Sequence, residues 1–342
     1  MDASLPTYDL FVGVDIAAAT ATVAWQRPGA PLSRPLTIPQ TPAGYAALRA
    51  RLHASGVAPA RTLIVMEATG SYWITLATTL QQAGYAVSVI NPAQAHAFAK
   101  ALLKRAKTDA IDAQTLTQLG ALLQPAPWTP PPPVYHELLQ RLAQRDALLD
   151  LRQQVRNQHH ALLQQPTVIA AVRARMEALI ATLSDQIAAV EAELVPALAQ
   201  DAAWAAAAAR LQSITGVGLL TASWLLVSTL CFTTCPTPEA ATAYAGLAPN
   251  ERSSGTSVYQ RPRIGHTGNA RLRTALYLAT LSAAQYNPVI KSFYDRLRAA
   301  GKPKKVARCA AARKLLHLAW ALVTKEHDVD PRDAQRQQAR AM

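Results

Sequence analysis

The sequence predicts an α/β domain followed by a mainly α-helical region, and three observations carry this. Short apolar runs bounded by turn residues recur through the first 90 residues and read as strands, with helix-spaced stretches between the later ones. A proline-rich stretch, Pro125-Ala-Pro-Trp-Thr-Pro-Pro-Pro-Pro133, then interrupts any regular element. Beyond it, Leu, Ile, Val and Met recur at helical spacing among Arg, Gln and Glu.

Taken in order, strands are expected at Leu10–Val14, Ala21–Trp25 and Pro35–Ile38, then a helix at Tyr45–Leu52. Strand Thr62–Met66, helix Tyr72–Ala83, strand Ala86–Ile90 closed by Asn91-Pro92, and helix Ala93–Arg105 follow. Three consecutive strands and then alternating helix and strand is the order of a ribonuclease-H-like sheet. Tyr135–Leu163 and Thr167–Leu198 flank Pro166 and predict an antiparallel helical hairpin or coiled-coil arm. Ala202–Ala209 is Ala-rich and helical by propensity. In Leu211–Ala222 a helix-like run, the turn Gly216-Val-Gly218 and a second helix form the pattern of a helix-hairpin-helix. Backbone at Thr215, Gly216 and Gly218 could there hold a phosphate without reading sequence; a plain packing turn is the alternative. The expected organisation is residues 1–124, an α/β domain; 125–200, linker and helical arm; and 201–342, a mainly helical domain.

Four carboxylates stand at separated points of the first third. Asp15 ends the run Leu10-Phe-Val-Gly-Val14, Glu67 ends Thr62-Leu-Ile-Val-Met66, and Asp109 and Asp112 share one helical segment. Acids at buried strand ends are costly unless they hold a metal or a proton. Two acids three apart on a helix project from one face. If that helix packs near the strand ends, all four converge. Such a cluster stays ionised only with divalent cations, and an all-oxygen donor set suits Mg²⁺ or Mn²⁺. The alternative for any one acid is a helix cap or a pair with Lys104, Arg105 or Lys107, cations that are also candidates for nucleic-acid contact.

Net charge is +13 and the pI about 10.0, which points to a polyanionic partner. The excess is local: residues 251–342 hold 18 Lys and Arg against 6 Asp and Glu. Within them lie a polar loop, Ala245–Ser257, and a basic run with Arg261, Arg263, Arg271 and Arg273. Lys302, Lys304 and Lys305 follow, among further cations interleaved with apolar residues, the pattern of helices that pack on one side and face phosphates on the other. Cys231, Cys235 and Cys309 make no disulfide framework or zinc spacing, as expected of a reducing compartment. No apolar run approaches a membrane span and the first residues carry an acid and no basic leader, so a cytoplasmic protein with no membrane partner is expected.

Together these motifs resemble the DEDD-type transposases of one large class of bacterial insertion sequences, recombinases guided by a bridge RNA that pairs with donor and target DNA. Gly13-Val-Asp15, Glu67-Ala-Thr-Gly-Ser-Tyr72, Val89-Ile-Asn-Pro92 and Lys107-Thr-Asp-Ala-Ile-Asp112 are similar to that family's RuvC-like catalytic domain. Ile214-Thr-Gly-Val-Gly218, Ala245-Gly-Leu-Ala-Pro249 and Ser254-Gly255 are similar to its C-terminal transposase domain. The resemblance runs from about residue 9 to 323. It implies that Asp15, Glu67, Asp109 and Asp112 form the metal-binding tetrad and that Ser254 attacks DNA and becomes joined to it, with Ser253 and Ser257 as rival hydroxyls. It also implies DNA, a guide RNA and a second or further copies of the chain, as a dimer or tetramer, for partners.

Three other classes remain in view. A RuvC-like nuclease or Holliday-junction resolvase would use the same acids with water as nucleophile and would be indifferent to Ser254→Ala. A sugar kinase of the actin-like type shares the opening strand and acid, but needs a second phosphate loop and an adenosine motif that the sequence lacks. A non-enzymatic nucleic-acid-binding protein would show no metal-dependent cleavage.

Overall fold

The computed structural model describes residues 8–68, 70–103, 108–254, 258–265 and 267–325, with the backbone alone for 250–254 and 258–262. Two compact units divide the chain, Met1–Pro130 and Pro131–Met342.

The first unit is built on β1 (Leu10–Ile16), β2 (Thr20–Gln26), β3 (Leu36–Pro39), β4 (Thr62–Glu67) and β5 (Ala86–Ile90), with helices α1 (Pro42–His53), α2 (Trp73–Gln82), α3 (Pro92–Ala101) and α4 (Asp109–Leu123). The sheet order is β3-β2-β1-β4-β5. β1, β4 and β5 are parallel, and β2 is antiparallel to both of its neighbours, an arrangement consistent with a ribonuclease-H-like fold. β1 is central and covered on both faces, which is why it reads as a continuous apolar run rather than an alternating one. Leu10, Val12, Val14 and Ile16 pack with Tyr45, Leu48 and Leu52 of α1 and Leu76, Ala77 and Leu80 of α2. On the opposite face Phe11 joins Leu63, Val65 and Ile90 under Ala95 of α3 and Leu116 and Leu119 of α4. Each fully buried Leu or Ile contributes about 1.5 to 3 kcal/mol, so these two layers fix the sheet between its helices.

Local signals set the helix starts. Thr41, Asn91 and Thr108 cap α1, α3 and α4 by accepting from Gly44, Ala93 and Ile111 amides, and Pro occupies the first turn of α1 and α3. The proline-rich stretch stays attached to the sheet edge as far as Trp128. Ser88 Oγ donates to the Pro125 and Ala126 carbonyls, Trp128 N donates to Val87 O at 2.6 Å, and the Trp128 ring meets Trp73 edge-on.

The second unit holds α5 (Pro133–Leu162), α6 (Ala170–Ala192), α7 (Leu194–Leu198), α8 (Ala202–Gln212), α9 (Leu219–Thr229), α10 (Pro238–Tyr244), strands β6 (Pro249–Ser254) and β7 (Val258–Ile264), and α11 (Ala270–Tyr286), α12 (Pro288–Ala299) and α13 (Lys304–Thr324). α5 and α6 run antiparallel. Arg141 pairs with Glu193, Arg145 with Glu191, Arg152 with Ser184 and His159 with Glu177, so each step outward along α5 is matched by a step back along α6. Only the near end joins the core, through Val134, Leu138, Leu142, Ile187 and Val190. The expected single helix to Leu198 breaks at Glu193 and resumes as α7, because Pro196 cannot donate to the Ala192 carbonyl. The stretch expected as a polar loop is instead a two-stranded ribbon, β6 against β7, with Ser253 opposite Tyr259 and Ser254 opposite Val258. Its ladder is a backbone property, and hydroxyl-rich strands without apolar alternation leave no trace in the sequence. Among the described residues no helix is long and apolar enough to cross a membrane.

Candidate active site and nucleic-acid interface

Alternation along β1 puts Phe11, Gly13 and Asp15 on the face covered by α4. α4 approaches that face backbone to backbone. A Cβ on Gly13 would collide with the Ala113 carbonyl and the Thr117 amide, and one on Gly120 would meet Val65 Cγ2 at 2.9 Å and Phe11 Cδ1 at 3.9 Å. Phe11 therefore lies at Gly120 and Gly13 between Thr117 and Ala113, so helix and strand run in opposite directions. A strand advances about 3.3 Å per residue and a helix about 1.5 Å, so the two residues from Gly13 to Asp15 correspond to about four residues of α4. Asp15 thus comes level with the first turn of α4, where Asp109 and Asp112 stand.

Glu67 reaches the same place along the neighbouring strand. β1 and β4 pair in parallel with Gly13 opposite Val65 and Val14 opposite Met66, and Leu63 and Val65 share the α4 face. One residue further, Asp15 and Glu67 lie on adjacent strands, on the same face. The electrostatics report the convergence: the Asp15 carboxyl is pushed up to about 6, first by burial, then by the charges of Asp112, Asp109 and Glu67, against a hydrogen bond from the Ile16 amide. Among the described residues no three His, Cys, Asp or Glu groups are spaced to ligate one ion together, so the acids surround Asp15 without a closed cage. The donor chemistry nonetheless fits a hard divalent cation. It is all carboxylate, and it gathers negative charge around a group that ionises reluctantly without a counter-charge.

The remaining candidates are scattered over the second unit or lie elsewhere. Lys104, Arg105 and Lys107 fall outside the described residues, as do Gly255 and Ser257; Ser254 is the last residue of β6, described by its backbone only, and Arg261 likewise lies in β7. Arg263 is exposed. In the turn between α8 and α9, Gly216 has φ +101° and a Cβ there would meet Ala283 Cβ of α11 at 2.7 Å, while Asn287 Nδ2 donates to Thr215 O at 3.3 Å. Close packing on α11 accounts for that glycine. Gly218 has open space around it, and no side chain caps α9.

Arg271 turns onto α5 and α9 while its side chain stays 40% exposed. It bonds Asp146 of α5, stacks over the Trp224 ring of α9 at 4.8 Å, and has its pKa lowered by burial and by Arg145. Arg273 donates to the Thr267 carbonyl at 3.1 Å. Lys302, Lys304 and Lys305 are exposed at the start of α13, where no acid or side-chain cap offsets them.

Sequence reading missed two features. Phe293 of α12 is flanked by Arg296 at 5.4 Å and Lys314 of α13 at 5.0 Å, and the Lys314 pKa is lowered by burial and then by Arg296. Neither cation has an ion-pair partner among the described residues. Interleaved apolar and basic residues signalled the face, but not the ring that gathers two charges. The second is Thr117, whose buried hydroxyl accepts from the Gly13 amide at 3.0 Å.

Comparison with known proteins covers both units. Residues 12–167 match the DEDD transposase family of IS110, described as "Transposase", and residues 208–295 match the "Transposase IS116/IS110/IS902 family". The "Pilin gene-inverting protein" of Moraxella bovis is 29% identical over 330 residues, 94% of this chain and 98% of the relative. Its counterpart in Moraxella lacunata is 28% identical over the same share of each. The "Insertion element IS110 uncharacterized 43.6 kDa protein" of Streptomyces coelicolor is 37% identical over 115 residues, 33% of this chain and 28% of the relative.

Proposed function

The chain belongs to the DEDD-type IS110 transposases, enzymes of DNA recombination, and from that premise we propose that it cuts and rejoins DNA through a serine ester under the guidance of a structured RNA. The observation that carries the catalytic half is the gathering of Asp109, Asp112 and Glu67 around an Asp15 that resists ionisation. In this reading Asp15, Glu67, Asp109 and Asp112 would hold Mg²⁺ or Mn²⁺. A divalent cation bound there supplies Lewis acidity to a scissile phosphate.

Ser254 is the nucleophile. Its Oγ forms a bond to phosphorus as its proton passes to solvent, the bond from phosphorus to the 3′ oxygen breaks, and that oxygen takes a proton from solvent to leave as a 3′ hydroxyl. The phosphodiester is stored as a 5′-phosphoserine, so attack by a second 3′ hydroxyl reseals a strand without ATP. A hydrolytic nuclease discards that bond. Inversion of a gene, the activity in the name of the Moraxella relatives, rejoins every end it cuts, and this supports the ester over water as the route.

The second unit supplies the grip. Arg263, Lys302, Lys304 and Lys305 are exposed and meet phosphates of DNA or guide RNA, as does the cation pair on Phe293. Thr215, Gly216 and Gly218 form the turn of a helix-hairpin-helix, with exposed Gly218 and the uncapped first turn of α9 as its phosphate contact. The α5–α6 hairpin acts as a coiled-coil arm for self-association, supported by Leu151, Leu163, Ile169 and Leu179, which stand exposed along it.

The deciding experiment traps the protein on a nicked DNA carrying the element's end, with Mg²⁺. The wild type is expected to give an adduct that survives SDS and yields to protease, Ser253→Ala to retain it and Ser254→Ala to lose it. Cleavage without an adduct in any variant would select the water-using nuclease.

A further inference from the structure

We propose that Thr117 is a positioning residue for the carboxylate cluster: its hydroxyl locks the register of α4 against β1 and so sets where Asp109 and Asp112 stand relative to Asp15. The proposal rests on the reading of those acids as the metal-binding set.

The need for a lock follows from how the helix packs. The α4 face on the sheet carries Ala113, Thr117 and Gly120 against Gly13 and Val65, a smooth contact made largely by backbone. Apolar contact is non-directional, so the packing of Leu116 and Leu119 on Phe11, Leu63 and Val65 fixes the position of α4 along β1 less sharply than a hydrogen bond to the strand does. Yet position decides the site. A slip of one residue moves the first turn of α4 by about 1.5 Å along the strand, enough to carry a carboxylate out of ligating range.

Thr117 supplies the missing direction. It is fully buried, with 0% exposure. Its Oγ1 accepts from the Gly13 amide at 3.0 Å and lies 3.0 Å from the carbonyl of Ala24, the residue opposite Gly13 in the β1–β2 register, and 2.9 Å from Ala113 O. One hydroxyl therefore ties the helix to two strands at a single point, two residues before Asp15 and five residues after Asp112. Sliding the helix would pull the Thr117 hydroxyl off the Gly13 amide and the Ala24 carbonyl, which face each other in the β1–β2 ladder, and leave it only the Ala113 carbonyl of its own helix. Thr115 provides the contrast. It is also buried, on the same helix, but among the described residues its hydroxyl bonds only to Ile111 O within α4.

The test compares Thr117→Val, Thr117→Ser and Thr115→Val in the full chain. After EDTA treatment, Mn²⁺ is titrated while the thermal midpoint is followed without DNA, and cleavage is measured separately across the same Mn²⁺ range. Thr117→Val is expected to raise the Mn²⁺ concentration for half of the midpoint shift about tenfold, the scale of lost support to a metal ligand, and to recover cleavage at saturating Mn²⁺. Thr117→Ser and Thr115→Val are expected to titrate like the wild type. Equal increases in Thr115→Val and Thr117→Val, or no increase in Thr117→Val, would overturn the proposal. If Thr117→Val does not fold, Thr117→Ala removes the same hydroxyl without a new methyl against Gly13. If neither folds while Thr117→Ser does, the hydroxyl serves the fold and not the site, and the proposal falls. A wild type whose midpoint and cleavage both ignore Mn²⁺ would reject the metal reading itself and this proposal with it.

Discussion

Asp15 and Glu67 lie on neighbouring parallel strands and on the same face of the sheet, beneath the first turn of α4. Two acids brought that close, with two more above them, oppose each other unless a cation or a proton intervenes.

Asp15→Asn is therefore expected to abolish cleavage and yet stabilise the metal-free protein at neutral pH. The folded-state value of about 6 exceeds the ordinary 3.8. The stability contributed by the protonated carboxyl is full below the ordinary value and is lost as pH rises through about 6. The gain in Asp15→Asn at pH 7.5 is about 1 to 2 kcal/mol, reduced from the full linkage value because the group is partly solvated. Urea unfolding in EDTA at pH 7.5 and 4.5 checks it. A variant less stable than the wild type at pH 7.5 would contradict the crowding of charge around Asp15.

In the turn between α8 and α9 the two glycines should separate. Gly216→Ala forces a Cβ into Ala283 at a left-handed backbone position and is expected to cost 2 kcal/mol or more, roughly. Gly218→Ala meets open space and should leave stability within about 0.5 kcal/mol. Thermal midpoints decide this. A loss of DNA affinity in the stable Gly218→Ala protein would support the phosphate contact, and unchanged affinity would reduce the turn to a packing device.

Arg271→Ala and Asp146→Ala should each destabilise the second unit and couple to one another by about 1 kcal/mol in a double-mutant cycle. Arg271→Lys should not rescue, since an ammonium cannot both reach Asp146 and stack flat on Trp224. Additive losses would show that the pair is incidental.

At Phe293 the expectation is reversed. Arg296→Ala and Lys314→Ala should leave folding intact and each lower the slope of log affinity against log salt by about one. Anisotropy titrations with duplex DNA and with structured RNA identify which polymer uses the pair. An unchanged slope for both would return these cations to ordinary solvated charge.

How far the sequence carried varied with the kind of force involved. Asp15 and Glu67 were legible because each breaks a continuous apolar run, and Asp109 and Asp112 because their spacing selects a helix face. Thr117 was not, since a threonine inside a helix looks the same whether its hydroxyl bonds its own turn, as Thr115 does, or a strand 104 residues away. Arg271 sits in a basic run, and composition cannot tell a guanidinium turned toward Asp146 from one turned toward phosphate. The strand ending at Ser254 was hidden for another reason: its pairing uses backbone groups that every residue possesses.

The hairpin of α5 and α6 also behaves as a lever. From Asp146 to the end of α5 at Leu162 is about 24 Å at the helical rise, so a tilt of about 10° at the base would displace the tip by roughly 4 Å, about a side chain's width. Precision at the tip is thus bought at the fulcrum, where Arg145 and Asp146 meet Glu191 and Arg271. A substitution there is felt most at the far end, among residues it never touches.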